Sequence, residues 1–246
     1  MKPSRTRLDV ALTERGLVET RSRAQALIMA RRVTVNERCV DKPGTAIAAD
    51  DELRVVALDH PWVGRGGIKL AYAVEEFGID LEGRTCLDIG ASTGGFTDVM
   101  LKSGAARVYA VDVGYGQIDA SLRNDPRVVN RERVNARYLS ADDFDEPIHF
   151  VSIDVSFIPL KLILPAVVEI LAPGGELVAL IKPQFEVGKA DVGKGGIVRD
   201  VTKREAAVAA VRATLEHLGF AIAGLIESPI KGAEGNVEYL VFDRRP

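Results

Sequence analysis

Charged residues stand at the ends of three apolar, strand-like segments in the second half of the chain. Asp154 and Lys182 each close one of these segments, and Glu238 lies near the start of a third. In an open, mostly parallel α/β sheet, ligands bind in the crevice beyond the carboxyl ends of the strands. If the three segments are neighbouring strands, we expect lysine–carboxylate contacts to converge there. A lysine amine held beside carboxylates and partly shielded from water is a candidate proton acceptor for an alcohol.

A glycine-rich turn, residues 88–96, follows the first apolar segment of this half of the chain. Glycines at a strand-to-helix turn let the backbone approach a ligand closely. The spacing is not that of the G-x-G-x-x-G dinucleotide fingerprint, because Ser92 stands two positions after Gly90. It resembles instead the D-x-G-x-x-x-G-G loop of S-adenosylmethionine-dependent methyltransferases, and Asp112, at the end of the next apolar segment, is placed to bind both hydroxyls of a ribose. The residues predicted to bind S-adenosylmethionine are Asp88, Gly90, Ala91, Ser92, Thr93, Gly94, Gly95, Phe96, Asp112, Val113 and Asp154, with Asp142 and Asp143 near the adenine.

Short apolar segments alternate with helical patterns from residue 84 onward, which predicts a parallel sheet with helices on both faces. Residues 68–79 have the pattern of an amphipathic helix, and the glycine-rich segment 183–196 is expected to be a long loop. The last two strand-like segments, 221–230 and 237–243, have the pattern of an antiparallel hairpin. We therefore expect the α/β class, with a Rossmann-like methyltransferase sheet that is mostly parallel and ends in an antiparallel hairpin.

The motifs of the chain reduce the number of atom types that could receive a methyl group. Amino-group methyltransferases typically carry an Asn/Asp-Pro-Pro-aromatic loop after the fourth strand, where this chain has Asp-Val-Ser-Phe at 154–157. Carbon methylation of pyrimidines commonly uses a cysteine nucleophile, but Cys86 lies inside the first predicted strand and Cys39 lies in the N-terminal segment. An oxygen acceptor beside a lysine remains. A ribose 2′-hydroxyl is a poor nucleophile that needs a base close to its proton.

The first 42 residues are basic, although the whole chain has a net charge of −3. They contain ten Lys/Arg and five Asp/Glu, a balance of +5, whereas the remainder contains 22 and 30, a balance of −8. A basic segment on an acidic body indicates an anionic partner, most often nucleic acid, and a solvated helix face is the alternative. Two short helical patterns and a small β-element make residues 5–58 similar to the S4-type RNA-binding domain, a small α+β fold in which arginines of the second helix face RNA phosphates. On this resemblance, the residues predicted to bind RNA are Arg5, Arg7, Arg21, Arg23, Arg31 and Arg32.

Four motifs follow this segment in the order DIGASTGGFTD, VDVGYGQ, SIDVSFI and IKPQFE. Lys69, Asp154, Lys182 and Glu238 resemble the Lys-Asp-Lys-Glu tetrad of FtsJ-type ribose 2′-O-methyltransferases, and the whole chain resembles the TlyA family. Members of that family are called hemolysin-like and act as cytidine 2′-O-methyltransferases on ribosomal RNA. The resemblance implies S-adenosylmethionine as cofactor and ribosomal RNA, within ribosomal subunits, as partner. It also implies that Lys182 takes the hydroxyl proton, that Asp154 and Glu238 orient the lysines, and that Lys69 helps to hold the ribose or a phosphate.

Two other function classes stay open from the sequence: a membrane-active cytolysin, which the hemolysin name suggests, and an RNA-binding protein without catalysis. No apolar run approaches the ~18 residues of a bilayer-spanning helix. The charged N-terminus lacks the apolar core of a secretory signal. Two cysteines in different segments and three scattered histidines argue against a disulfide framework and a metal site. We therefore expect a cytoplasmic protein without a metal.

A chain of 246 residues has room for two domains. We predict an S4-type RNA-binding domain at residues 1–59, a glycine-containing linker at 60–67 and an FtsJ-like methyltransferase domain at 68–246. The oligomeric state does not follow from the sequence.

Overall fold

The structure, a computed structural model, divides the chain into two compact units, Met1–Pro61 and Trp62–Pro246. Separate clusters of buried apolar side chains lie in the two units. The limits predicted from the sequence, 1–59 and 68–246, stay predictions. The residues that the structure describes are 5–29, 32–55, 60–232 and 235–246.

The described residues of the first unit form two short helices and five short strands. Its core contains Leu8, Leu12 and Ile28 from the helices, packed with Val33 and Ile47 from the strands. Residues four apart share one face of a helix, which is why an apolar pair at positions 8 and 12 forms a helix with one buried side. The predicted α+β element is confirmed. Its bounds are β1 (Thr6–Arg7), α1 (Leu8–Glu14), α2 (Arg21–Met29), β2 (Val33–Val35), β3 (Arg38–Val40), β4 (Ala46–Ile47) and β5 (Leu53–Val55), with the antiparallel orders β3-β2-β5 and β1-β4.

A seven-stranded sheet forms the centre of the second unit, in the order β11-β12-β10-β9-β6-β7-β8. Strands β10, β9, β6, β7 and β8 are parallel, and β12 is antiparallel to both of its neighbours. The predicted α/β class, with a mostly parallel sheet and an antiparallel last pair, is confirmed. The elements are α3 (Gly66–Phe77), β6 (Thr85–Ile89), α4 (Gly95–Lys102), β7 (Arg107–Asp112), α5 (Ala120–Arg123), β8 (Val128–Glu132), β9 (Ile148–Ile153), α6 (Leu164–Ile170), β10 (Leu171–Ile181), α7 (Pro183–Glu186), α8 (Val201–His217), β11 (Ala221–Glu227) and β12 (Tyr239–Arg244).

The central strands are apolar along most of their length because helices cover both faces of the sheet. Neighbouring residues of a strand face opposite ways. Cys86 of β6 belongs to the cluster that contains Leu70 of α3 and Val99 of α4, whereas Leu87 belongs to the cluster that contains Val167 of α6. Continuous apolar runs in the sequence therefore correspond to strands buried on both sides.

Two segments differ from the sequence prediction at their ends. Helix α3 begins at Gly66, inside the predicted linker of 60–67. Glycine at position 67 allows the helix to pack closely on Trp62, since a Cβ there would lie 2.5 Å from the Cβ of Trp62. The predicted loop of 183–196 begins with the single helical turn α7, because proline is favourable at the first position of a helix.

The strand directions bring the charged residues of interest to one edge of the sheet. Asp154 directly follows β9, and Lys182 directly follows the parallel neighbour β10. Because β12 runs antiparallel to β10, with Tyr239 opposite Ile181, the residue before β12 reaches the same edge. That residue is Glu238, so the three predicted positions converge as expected for ligand sites in open α/β sheets.

Candidate active site

The four residues of the predicted tetrad are brought together as two ion pairs. Lys69 Nζ lies 2.6 Å from Glu238 Oε2, and both side chains are nearly inaccessible to solvent. Lys182 Nζ lies 2.5 Å from Asp154 Oδ1 and donates a hydrogen bond of 3.0 Å to the hydroxyl of Ser156. In a pair that is largely out of water, separating the partners would leave each charge uncompensated. The free-energy cost of that separation keeps the partners in contact. The structure thus gathers two amines and two carboxylates, whereas their catalytic roles stay predictions.

A cavity of about 270 Å³ lies beside these two ion pairs. Lys69 and Asp154, one residue from each pair, line its wall. Lys182 and Glu238 stand behind their partners and are not among the described residues that line it. A ligand group in this cavity would therefore meet both pairs. The residues of the glycine-rich turn that line it are Gly90, Ala91, Ser92, Thr93, Gly95 and Phe96, all of them predicted cofactor contacts.

A second cavity, of about 320 Å³, adjoins the first and shares Gly90, Ser92 and Asp154 with it. Asp112 and Val113, two further predicted cofactor contacts, line this second cavity. Much of the remaining wall is aliphatic, which suits the flat apolar faces of a nucleobase. Together the two cavities offer room for an extended ligand with sugar hydroxyls near Asp112 and a reactive group near Asp154.

The backbone of the glycine-rich turn has the geometry of a close ligand approach. Gly90 has φ of +86°, and a Cβ there would lie 2.3 Å from the carbonyl oxygen of Asp154, so a side chain does not fit. The carboxylate of Asp112 accepts hydrogen bonds from the backbone N–H groups of Ser92 at 2.8 Å and Gly114 at 2.6 Å. A carboxylate accepts about four hydrogen bonds, so Asp112 is oriented and still has acceptor positions for two sugar hydroxyls.

Two predicted cofactor contacts, Asp88 and Gly94, line neither cavity. Asp88 is fully buried and accepts hydrogen bonds from Thr97 Oγ1 at 2.7 Å and Ser152 Oγ at 3.0 Å. Burial raises the pKa of Asp88 to about 7. Gly94 has φ of +92°, a backbone conformation that favours glycine, and a Cβ there would lie 2.2 Å from Cδ1 of Leu122. Asp88 and Gly94 therefore support the turn from the side that faces the sheet and α4, and their contact with the cofactor stays a prediction.

Asp142 and Asp143 are also absent from the described walls of the two cavities. Asp143 instead accepts hydrogen bonds from the N–H of Ser140 at 2.8 Å and from its hydroxyl at 3.2 Å, so it caps a short 3₁₀ turn. The second cavity is lined instead by Asn135 and Ala136, which the sequence prediction missed. A signal was present, because these residues follow β8, which lies beside β7 in the sheet.

A buried asparagine that the sequence prediction also missed joins two loops at this edge. Asn236 accepts a hydrogen bond from the N–H of Val198 at 3.0 Å and donates one to the carbonyl of Gly196 at 2.8 Å. The backbone carbonyl of Asn236 accepts a hydrogen bond from the N–H of Gly232 at 2.9 Å. Gly232 lines the first cavity and packs on the Glu238 carboxylate, since a Cβ there would lie 2.3 Å from Oε1. Asn236 therefore ties the glycine-rich loop to the segment that carries Glu238.

Two of the arginines predicted to bind RNA are held by a buried carboxylate in the first unit. Arg7 and Arg21 lie 3.0 and 2.9 Å from Asp9, and Gln25 donates to the same group at 2.7 Å. The hydrogen bond from Arg7, with those from Gln25 and Arg21, holds the pKa of Asp9 well below its usual value. Both arginine side chains are about half exposed, at 51% and 55%, so phosphate can still reach them. Of the other predicted contacts, Arg5 and Arg23 are exposed, Arg32 is half-buried, and Arg31 lies outside the described residues.

Comparison with known proteins divides the chain into two matching parts. The family model of FtsJ-like methyltransferases matches residues 62–245, and that of the S4 domain matches residues 6–53. The 16S/23S rRNA (cytidine-2′-O)-methyltransferase TlyA of Mycobacterium tuberculosis is 47% identical, over 98% of this chain and 90% of that protein. Hemolysin A of Brachyspira hyodysenteriae is 45% identical, over 95% of this chain and 98% of that protein.

A solved structure has the same architecture over the full length of the chain. It is a protein of Streptococcus thermophilus, provisionally named a hemolysin, with 46% identity and a TM-score of 0.77 over 100% of this chain and 90% of that one. Identity of this extent across both parts is more than a shared fold. The chain therefore belongs to the FtsJ-like methyltransferases and, within them, to the TlyA family that carries an S4 domain in front.

Proposed function

We propose that the protein transfers the methyl group of S-adenosylmethionine to a ribose 2′-hydroxyl of ribosomal RNA, with cytidine as the acceptor nucleotide. The observation that carries the proposal is that Lys69 and Asp154, from two ion pairs, line the same cavity as the glycine-rich turn. The name of the relative from M. tuberculosis, which specifies cytidine 2′-O-methylation of 16S and 23S rRNA, supports the substrate. The S4 domain supports an RNA partner.

The residues present fit S-adenosylmethionine in the two connected cavities. When bound, this cofactor supplies a methyl group on a positively charged sulfur, whose S–C bond breaks as the new O–C bond forms. Asp112 would accept hydrogen bonds from the ribose hydroxyls, and the aliphatic wall with Asn135 would surround the adenine. The backbone at Gly90, where no Cβ fits, would lie against the ligand at the boundary of the cavities.

The tetrad acts on the acceptor hydroxyl in this proposal. The amine of Lys182 accepts the 2′-hydroxyl proton as the oxygen attacks the methyl carbon. Asp154 and Ser156 orient this amine through the contacts of 2.5 and 3.0 Å. Lys69, fixed by Glu238, donates hydrogen bonds to the ribose or to a neighbouring phosphate. Fixing these groups before the acceptor arrives lowers the barrier, because less freedom is lost in reaching the reactive geometry.

Substitution of Lys182 by alanine tests the assignment of the proton acceptor. We expect transfer of a tritiated methyl group to ribosomal RNA to fall by roughly 10²- to 10⁴-fold, as for loss of a general base. The affinity for S-adenosylmethionine, measured by calorimetry, should stay unchanged because Lys182 lines neither cavity. Asp112→Ala is the matched control and should weaken that affinity. Unaltered turnover in Lys182→Ala would eliminate the role.

The two alternatives from the sequence, a cytolysin and a non-catalytic RNA-binding protein, are separable by experiment. The name Hemolysin A belongs to a relative, and in the part of the chain that the structure describes no helix is both long and apolar enough to cross a membrane. Dye release from liposomes by the pure protein, without methyl transfer to RNA, would support the cytolysin. RNA binding without calorimetric binding of S-adenosylmethionine would support the non-catalytic protein.

A further inference from the structure

The first cavity keeps positive charge that its walls do not neutralise. Its charged lining consists of Arg65, Lys69, Asp154 and Lys231. Lys69 and Asp154 are each paired within the tetrad, at 2.6 and 2.5 Å. Within the described residues, the side chains of Arg65 and Lys231 make no ion pair or hydrogen bond. Two uncompensated cations therefore stand beside the candidate reaction centre.

These two cations flank the Lys69–Glu238 pair from different segments. Arg65 stands directly before α3, one helical turn ahead of Lys69, so both reach the same cavity. Lys231 precedes Gly232, whose backbone packs on the Glu238 carboxylate. Both cations are solvent-exposed at the mouth of the cavity. Their position suits a charged group that enters from solution and ends next to Lys69.

The cofactor alone does not match this charge. S-adenosylmethionine carries a sulfonium, an ammonium and a carboxylate at neutral pH, which is a net single positive charge. The two further cations at the cavity mouth repel this positively charged cofactor, and an anion that binds beside them would offset the repulsion. An RNA strand supplies that anion, since each nucleotide is flanked by phosphodiester groups, and Arg and Lys side chains are the usual partners of phosphate oxygens.

We propose that Arg65 and Lys231 form a phosphate-binding subsite that holds the phosphodiester groups of the RNA next to the acceptor ribose. The subsite deepens the proposed function and rests on it. Its effect is positional, because anchoring the backbone on both sides of Lys69 brings the 2′-hydroxyl to the tetrad and does not select a base.

Full-length Arg65→Gln and Lys231→Gln variants test the subsite through the salt dependence of RNA binding. The dissociation constant for a ribosomal RNA fragment is measured with S-adenosylhomocysteine present, over a series of potassium chloride concentrations. For each cation removed, we expect the affinity at low salt to fall about tenfold. The slope of log affinity against log salt is negative, and its magnitude should fall by ~0.7. Arg65→Lys and Lys231→Arg keep the charge and should restore most of the binding.

Arg107→Gln is the matched control. It removes the same charge at the amino end of β7, the opposite edge of the sheet, and should change neither the slope nor the affinity. A fall in S-adenosylmethionine affinity with an unchanged RNA slope would overturn the proposal and assign the cations to the cofactor carboxylate. Normal methyl transfer with unchanged RNA binding in both Gln variants would overturn the subsite alone. A wild-type protein that binds RNA and transfers no methyl group would instead overturn the proposed function.

Discussion

Replacement of Asp88 by asparagine should make the stability of the second unit less dependent on pH. Asp88 is fully buried, and burial raises its pKa from 3.8 to about 7. Because the folded-state pKa is the higher one, its contribution to stability is complete below pH 3.8 and is lost as the pH rises through 7. The difference of about three pKa units corresponds to about 4 kcal/mol, roughly half of it lost between pH 5.5 and pH 8.

Urea unfolding at these two pH values, followed by fluorescence, measures the effect. The single tryptophan, Trp62, lies in the second unit and reports its unfolding. We expect wild type to lose about 2 kcal/mol more than Asp88→Asn between pH 5.5 and pH 8. Burial also raises the pKa of Asp243 to about 7, but both proteins keep that residue and its contribution cancels in the comparison. An equal pH dependence in the two proteins would refute the reasoning about Asp88.

Four further substitutions test other contacts. Glu238→Gln leaves Lys69 buried without its partner and should cost about 3–5 kcal/mol of unfolding free energy by urea titration; an effect under 1 kcal/mol would contradict the buried pair. Asp9→Ala should destabilise the first unit by about 2 kcal/mol, measured by hydrogen exchange of the helices α1 and α2. The destabilisation should be smaller in acid, because the lowered pKa of Asp9 means that its contribution to stability is lost as the pH falls. Asn236→Ala should lose two hydrogen bonds of about 1 kcal/mol each. It should also reduce methyl transfer, because the segment that carries Glu238 is less firmly held; full turnover would exclude a positioning role for Asn236. Gly90→Ala should abolish calorimetric binding of S-adenosylmethionine, since the added Cβ meets the Asp154 backbone.

The sheet and its ligand edge were predictable because local sequence determines them. Strands buried on both faces appear as continuous apolar runs, and a charged residue at the end of such a run must leave the core. This placed Asp154 and Lys182 at one edge. The antiparallel last pair then placed Glu238 beside them, because the residue before an antiparallel strand lies where its parallel neighbour ends.

The contacts that the sequence did not predict depend on packing between distant segments. Asp88 belongs to a recognisable loop motif, but Thr97 and Ser152 enclose it on the inner side of the sheet. Asp143 is used by a local turn, which competes with any ligand role. Asn236 bonds to residues about 40 positions away, and no spacing rule covers such a contact.

Nucleoside analysis of the methylated RNA tests the central claim most directly. Ribosomal RNA is incubated with the protein and S-adenosylmethionine that carries an isotope-labelled methyl group, digested to nucleosides and analysed by mass spectrometry. We predict that the label appears on the ribose of cytidine with wild type and is lost with Lys182→Ala. Label on a base, or equal ribose labelling by the two proteins, would contradict the assignment of the tetrad to 2′-O-methyl transfer.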